Sequence, residues 1–193
     1  MRTLVYTAFV SLDGVVDSPG GGTSSEAHRS GGWTYKDIEF VPEAYELKGR
    51  ETEEASALMF GRASYQAFSP VWPDMADFAA LKDLPKYVVS TTLSEDALVD
   101  NWGDITILRS LEDVARLRET DGGPIFIHGS ATLARNLSDA GLIDRYHLLV
   151  FPLLLGAGKR MFSDADRDKQ MLRLVESETY ANGITKLVYD VLR

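Results

Sequence analysis

The sequence predicts an α/β protein: a mixed, mostly parallel sheet with helices on both faces and an antiparallel hairpin at its C-terminal end. Two observations carry this. From Leu4 to Phe151, short runs rich in β-branched and aromatic residues alternate with helical patterns, the signature of strands joined by helical crossovers. After that the alternation stops, and two strand-like runs flank Asn182-Gly183, the dipeptide best suited to a tight hairpin turn.

The strands are expected at Leu4–Val10, Ala57–Phe60, Tyr87–Ser90, Ile105–Leu108, Ile125–His128 and Tyr146–Phe151. Leu111, Val114, Ala115 and Arg118 fall at helical spacing over Leu111–Arg118. Leu133, Leu137 and Ala140 mark one face of a second helix, which Gly141 ends. The hairpin strands are Leu172–Tyr180 and Ile184–Leu192. Between the first strand and Trp33, Asp17–Gly32 is rich in glycine and serine and poor in apolar residues, which reads as a long loop of the kind that serves as a lid.

With 193 residues the chain is expected to form one domain, residues 1–193. Its 45% hydrophobic and 25% charged residues suit a soluble globular protein, and with no cysteine it has no disulfide, thiolate nucleophile, cysteine-ligated zinc or iron–sulfur cluster. A net charge of −9 repels a phosphodiester backbone, so no nucleic-acid partner is expected. The richest apolar run, Leu148 to Leu155, is broken by Pro152, and Thr3–Val10 lacks the flanks of a signal peptide. A cytoplasmic protein with no membrane partner is the expectation.

Three turns are candidates for ligand binding, the first two of them for an anion. In Ala57–Tyr65 a buried strand runs through Gly61 into a helix beginning at Arg62; such a start offers N–H donors and a positive dipole end, and a guanidinium suits phosphate. The alternative is a surface arginine after an ordinary turn glycine. In Ile125–Leu133, Gly129 permits close approach, while Ser130, Ala131 and Thr132 offer hydroxyls and N–H groups; alternatively Ser130 simply caps the helix. The third follows Lys86–Thr92, where Ser90, Thr91 and Thr92 close a strand, or merely begin a loop. Two phosphate-ready turns in one sheet suit a dinucleotide, although neither is the Rossmann fingerprint.

Catalytic groups are not assigned. His28, His128 and His147 are scattered, no metal-ligand spacing exists, and no G-x-S-x-G elbow supports a serine nucleophile. Asp13, Asp37, Glu39 and Glu43 lie around the expected lid, where solvated surface carboxylates are the ordinary alternative.

In their order, Ser11-Leu12-Asp13-Gly14, Phe60–Tyr65, Lys86–Ser90, Ile127–Ser130 and Pro152–Gly158 resemble the dihydrofolate reductase superfamily, and most closely its branch related to the C-terminal reductase domain of the bifunctional riboflavin-biosynthesis deaminase/reductase. The resemblance implies a three-layer dihydrofolate reductase-like fold and an NADPH-dependent reductase. It implies that Gly61, Arg62 and Ser64 meet the cofactor phosphates, with Arg62 near the 2′-phosphate. Ser90 and Thr91 would lie beside the adenosine, and Gly129, Ser130, Ala131 and Thr132 under the pyrophosphate, Ser130 standing where the family has a second glycine. Ala8 and Gly156 would lie by the nicotinamide.

On the substrate side, Asp13, Trp33, Asp37, Tyr65, Phe68 and Trp72 are candidates, the aromatic rings as stacking walls for a flat heterocycle or, alternatively, as core. The leading expectation is hydride transfer from NADPH to a small pterin-, pyrimidine- or flavin-like substrate by a homodimer. The rival is a non-catalytic nucleotide-binding module on the same fold.

Overall fold

A computed structural model describes residues 1–21, 28–164 and 168–193. Residues 22–27 of the expected lid lie outside the described residues.

One eight-stranded sheet runs through the molecule. Its strands are β1 (Leu4–Ser11), β2 (Ala57–Gly61), β3 (Lys86–Val89), β4 (Ile105–Leu108), β5 (Ile125–His128), β6 (Arg145–Phe151), β7 (Leu172–Thr179) and β8 (Thr185–Val191), in the order β4-β3-β2-β5-β1-β6-β8-β7. The pairs from β4 to β6 are parallel, whereas β8 runs antiparallel to both β6 and β7. The fold is the mixed, mostly parallel sheet that the sequence predicts. At the hairpin tip Gly183 has φ +83°, which a residue with a Cβ adopts only under strain, and Asn182 Oδ1 accepts from the Ile184 N–H at 3.2 Å.

The helices are α1 (Glu46–Glu54), α2 (Arg62–Phe68), α3 (Leu111–Glu119) and α4 (Ala131–Asp139), with short 3-10 turns between β2 and β4 and before α1. Strand side chains alternate between two faces. Leu4, Tyr6, Ala8 and Val10 point with Ile125, Ile127, Tyr146 and Leu148 into a core covered by Val114 of α3 and by Leu133, Ala134 and Leu137 of α4. On the other face, Val5, Leu58, Phe60 and Phe126 pack with Tyr65 of α2, Leu81 and Trp102, and Leu149 and Phe151 pack with Leu47 of α1 and Trp33. Helices thus cover both faces, as expected.

Local chemistry fixes the element ends. Ser110 and Asp113 form a reciprocal capping box at the start of α3, and Gly141 (φ +67°) follows the end of α4. Asp144 ties three distant segments together: its carboxylate accepts from the Leu4 N–H at 2.8 Å, from Arg118 at 2.7 Å and from Arg193 at 2.6 Å.

Candidate functional site

Because β1, β2, β3, β5 and β6 run parallel, their C-terminal ends open along one edge of the sheet, where ligands of open α/β proteins bind. At its centre two turns are stitched together. Gly129 (φ +58°) and Ser130 (φ +60°, ψ +47°) are both left-handed, a conformation unfavourable for a serine, and it turns the Ser130 hydroxyl away from the helix it precedes. The expected alternative role of Ser130 as a side-chain cap is therefore not found: its hydroxyl caps no N–H of α4. Instead Ser130 Oγ accepts from the Gly61 N–H at 2.7 Å and donates to the His128 carbonyl at 3.1 Å. The Ser130 N–H in turn donates to Ser64 Oγ at 2.8 Å.

The Ser130 hydroxyl is thus committed to the framework as both acceptor and donor, and the Ser64 oxygen accepts within it. Gly129 is needed for the fit, since a Cβ there would stand 3.0 Å from Ser64 Oγ and 3.3 Å from the tip of Phe68. Backbone donors and a guanidinium are among the groups left to face a ligand. The first N–H groups of α4, at Ala131 and Thr132, have no intrahelical acceptor. Arg62 is exposed; its Nη1 donates to Thr92 Oγ1 at 2.7 Å and its Nε to Gln66 at 3.3 Å. No ion pair involves Arg62 among the described residues.

Arg62 reaches the turn after β3. There Ser90 is buried, its Oγ accepting from the Thr92 and Leu93 N–H groups, while Thr91 is exposed. Arg109, which the sequence reading missed, also holds this turn, donating to the Ser90 and Leu93 carbonyls at 3.1 and 2.6 Å. Two guanidiniums therefore bond to one hydroxyl-rich strand end.

Asp13 ties the loops after β1 and β6 together. Its carboxylate accepts from Ser11 Oγ at 2.6 Å, from the Leu155 N–H at 3.1 Å and from the Gly156 N–H at 2.7 Å. The Ser11 bond and then these backbone donors draw its pKa down to about 2, against a small opposing effect of burial. Gly156 is exposed on that loop with φ +75°. Ala8 is buried on the α4 side of β1, paired in register with Leu148.

The aromatic candidates separate. Trp33 is buried, with its Nε1 donating to the Asp17 carbonyl at 2.8 Å, and Tyr65 is buried with its hydroxyl accepting from the Val99 N–H at 2.9 Å. Their rings serve the core. Phe68 and Trp72 are partly open and stack at 4.4 Å; the other face of Trp72 is covered by Phe78, and the ring stands 5.6 Å from that of His128. Asp37 lies apart from the stitched turns, in a shallow groove with Glu39, Pro152, Leu153 and Asn182.

A polar cluster that spacing did not reveal lies under α1. Glu51 is buried against the sheet; its carboxylate accepts from Thr7 Oγ1 at 2.8 and 2.9 Å, meets His147 Nδ1 at 3.0 Å and pairs with Lys48 Nζ at 3.3 Å. Burial pushes its pKa up, but the Lys48 charge and the His147 bond outweigh that and leave it at about 2. Lys48 also donates to Thr7 Oγ1 and sits 5.1 Å above the Phe9 ring. On the neighbouring strand, burial pulls His128 down to about 4, with Glu51 and Lys48 acting on it in opposite senses.

No group of three or more His, Asp or Glu side chains able to hold a metal occurs among the described residues. No helix among them is long and apolar enough to cross a membrane.

The family described as RibD C-terminal domain matches residues 2–186. The uncharacterized protein YyaP of Bacillus subtilis is 29% identical over 143 residues, covering 70% of this chain and 74% of its own. Among solved structures, a putative riboflavin biosynthesis protein from Shewanella superposes with TM-score 0.75 at 20% identity, over 99% of both chains. A pyrimidine reductase-like protein from Corynebacterium diphtheriae gives 0.61 at 16% identity, over 99% of this chain and 92% of that one.

Proposed function

The chain belongs to the RibD C-terminal domain family, and on that premise we propose that it is an NADPH-dependent reductase acting on a small heterocyclic substrate of pyrimidine, pterin or flavin type, as a cytoplasmic homodimer. The observation that carries this reading is the stitched pair of turns. Ser64 and Ser130 hold Gly61 and Gly129 so that the first N–H groups of α4 stay free at the sheet edge, beside the exposed Arg62 guanidinium. Donors fixed before a ligand arrives suit a pyrophosphate with a further phosphate at its ribose.

The residues fit such a dinucleotide. Gly129, with Ser130, Ala131 and Thr132, would hold the pyrophosphate, Arg62 the 2′-phosphate, and the Ser90–Thr91 strand end the adenosine; Ala8 and Gly156 would flank the nicotinamide. When bound, the reduced nicotinamide supplies hydride. The chain's own part is to bind, to orient and to exclude water, which accounts for much of the rate in such transfers. Phe68 and Trp72 stack on each other with Phe78 over the second face of Trp72, so the partly open pair would offer a flat substrate ring edges rather than a stacking face.

Titrating NADPH by its fluorescence and then following its oxidation across a panel of pyrimidines, pterins and flavins tests the proposal. Binding with substrate-dependent oxidation is the expected result. Binding with no oxidation by any of them would leave a nucleotide-binding module, and no binding would remove the reading altogether.

A further inference from the structure

We propose that His128 is the acid of this site: it takes up a proton as the dinucleotide binds and presents that proton to the ring that accepts the hydride. The inference rests on the reductase reading and supplies the proton that hydride transfer by itself does not.

Hydride addition to a ring C=N bond forms a C–H bond and moves the π pair onto nitrogen, which then takes a proton from a nearby acid. Asp13 and Glu51 are unfit for this, since both are held at about 2 and are ionised near pH 7. The other titratable groups at this end of the sheet are engaged. His147 is buried against Glu51, and Lys48 spans Thr7 and both Glu51 oxygens. The Tyr45 hydroxyl donates to the Thr34 carbonyl at 3.3 Å, and His28 Nδ1 accepts from the Ser30 N–H at 3.0 Å. His128 differs. Its carbonyl accepts from Ser130 Oγ, but among the described residues neither ring nitrogen is engaged in a hydrogen bond, and the residue is partly exposed.

The position of His128 suits the role. It ends β5, in register with Thr7 of β1, one residue before Ala8, and its ring centroid stands 5.6 Å from Trp72 and 6.4 Å from Phe60. The next residue, Gly129, opens the turn assigned to the pyrophosphate. In the free protein, burial draws the imidazole down to about 4 and keeps it neutral. Of the charged groups around it, Glu51 on α1 favours the proton and Lys48 on α1 opposes it, while His147 lies beyond Thr7 on β6. Phe60 and Trp72 bring no charge. An anion seated at the Gly129 turn adds the opposite charge that an imidazolium there lacks, so binding and protonation favour each other. After the transfer the imidazole is neutral again and regains its proton from solvent.

Calorimetric titration of NADPH at pH 6.5, in two buffers of different ionisation enthalpy, counts the protons taken up on binding. Wild type is expected to take up several tenths of a proton more per NADPH than His128→Gln, the 2′-phosphate contributing equally to both. At pH 8, where little protonation remains, the two affinities should agree within about twofold, which separates this role from a structural one. In stopped-flow reduction of 7,8-dihydropterin, hydride goes to C6 and the proton to N5. The wild-type rate should fall as the pH rises from 6 to 9, and His128→Gln should be about a hundredfold slower and lose that dependence. His128→Asn takes its place if His128→Gln folds poorly. Equal proton uptake, or equal reduction rates, overturns the role of His128. Absence of NADPH binding instead removes the reductase reading on which it rests. Dihydropterin left unreduced by both proteins counts against pterins as the substrate class, and proton uptake then decides the role of His128 by itself.

Discussion

The Ser130 N–H donates to Ser64 Oγ at 2.8 Å, across 66 residues of chain, and this bond makes two sequence-distant turns into one rigid unit. With the Ser64 hydroxyl removed, the Ser130 N–H loses its acceptor in a partly buried place, a loss worth about 1–2 kcal/mol. Ser64→Ala is expected to lower stability by that much in urea unfolding and to weaken NADPH binding several-fold. Ser130→Gly is a different experiment: it relieves a left-handed serine, worth about 1 kcal/mol, but gives up the bond from Gly61. Its stability should stay near wild type, while Ser130→Ala, which keeps the strain and loses the bond, should be the least stable of the three.

Arg62 is expected to set the choice between NADPH and NADH. A 2′-phosphate approaching a chain of net charge −9 needs a local cation, and Arg62 is exposed, tethered to Thr92 and free of ion pairing among the described residues. Charge-assisted bonds of this kind contribute about 1.5–3 kcal/mol. Arg62→Ala should therefore weaken NADPH at least about tenfold and leave NADH nearly unchanged, as read by fluorescence titration of both cofactors. Equal losses would show that Arg62 supports the turn rather than the phosphate.

Much of the scaffold was legible because its signals are local. Ile105–Leu108 and Ile125–His128 are strands over the predicted spans, and Asn182-Gly183 turns the hairpin as its chemistry requires. α1 escaped because it buries only Leu47 and Glu51, so no apolar stripe marks it. Its cluster escaped with it: Thr7 and His147 lie 44 and 96 residues from Glu51, and no spacing rule joins them. The serine positions were legible but their direction was not. Read as ligand-facing or capping, Ser64 and Ser130 bond to each other's turns, because the left-handed backbone at Ser130 redirects both groups. Trp33 and Tyr65 could be wall or core from sequence, and burial places both rings in the core.

β7 is expected to be a dimer contact. It ends the sheet, pairs among the described residues only with β8, and carries exposed Leu174 and Val175 beside exposed Met171. An edge of eight residues with apolar side chains is normally covered. Sedimentation at micromolar concentration should give twice 21.3 kDa, and Val175→Lys should shift the protein toward monomer. A wild-type monomer at that concentration would sink this expectation.

Glu51 should make the protein acid-sensitive in a defined window. Burial alone would raise its carboxyl pKa, but the Lys48 charge and the His147 bond leave it at about 2, below its ordinary value of 4.5. A carboxylate with a lowered pKa in the folded state stabilises the fold fully above about 4.5, and that stabilisation is lost as the pH falls toward 2. The gap corresponds to roughly 3 kcal/mol. Glu51→Gln keeps the shape, removes the linkage and leaves the Lys48 ammonium without its counter-charge. At pH 7 the variant should therefore be about 3 kcal/mol less stable than wild type in urea unfolding, and the difference should shrink steadily between pH 4.5 and 2.5. A difference that stays constant across that range would mean that Glu51 acts as a hydrogen-bonding spacer under α1, and its charge would then contribute nothing to holding the helix on the sheet.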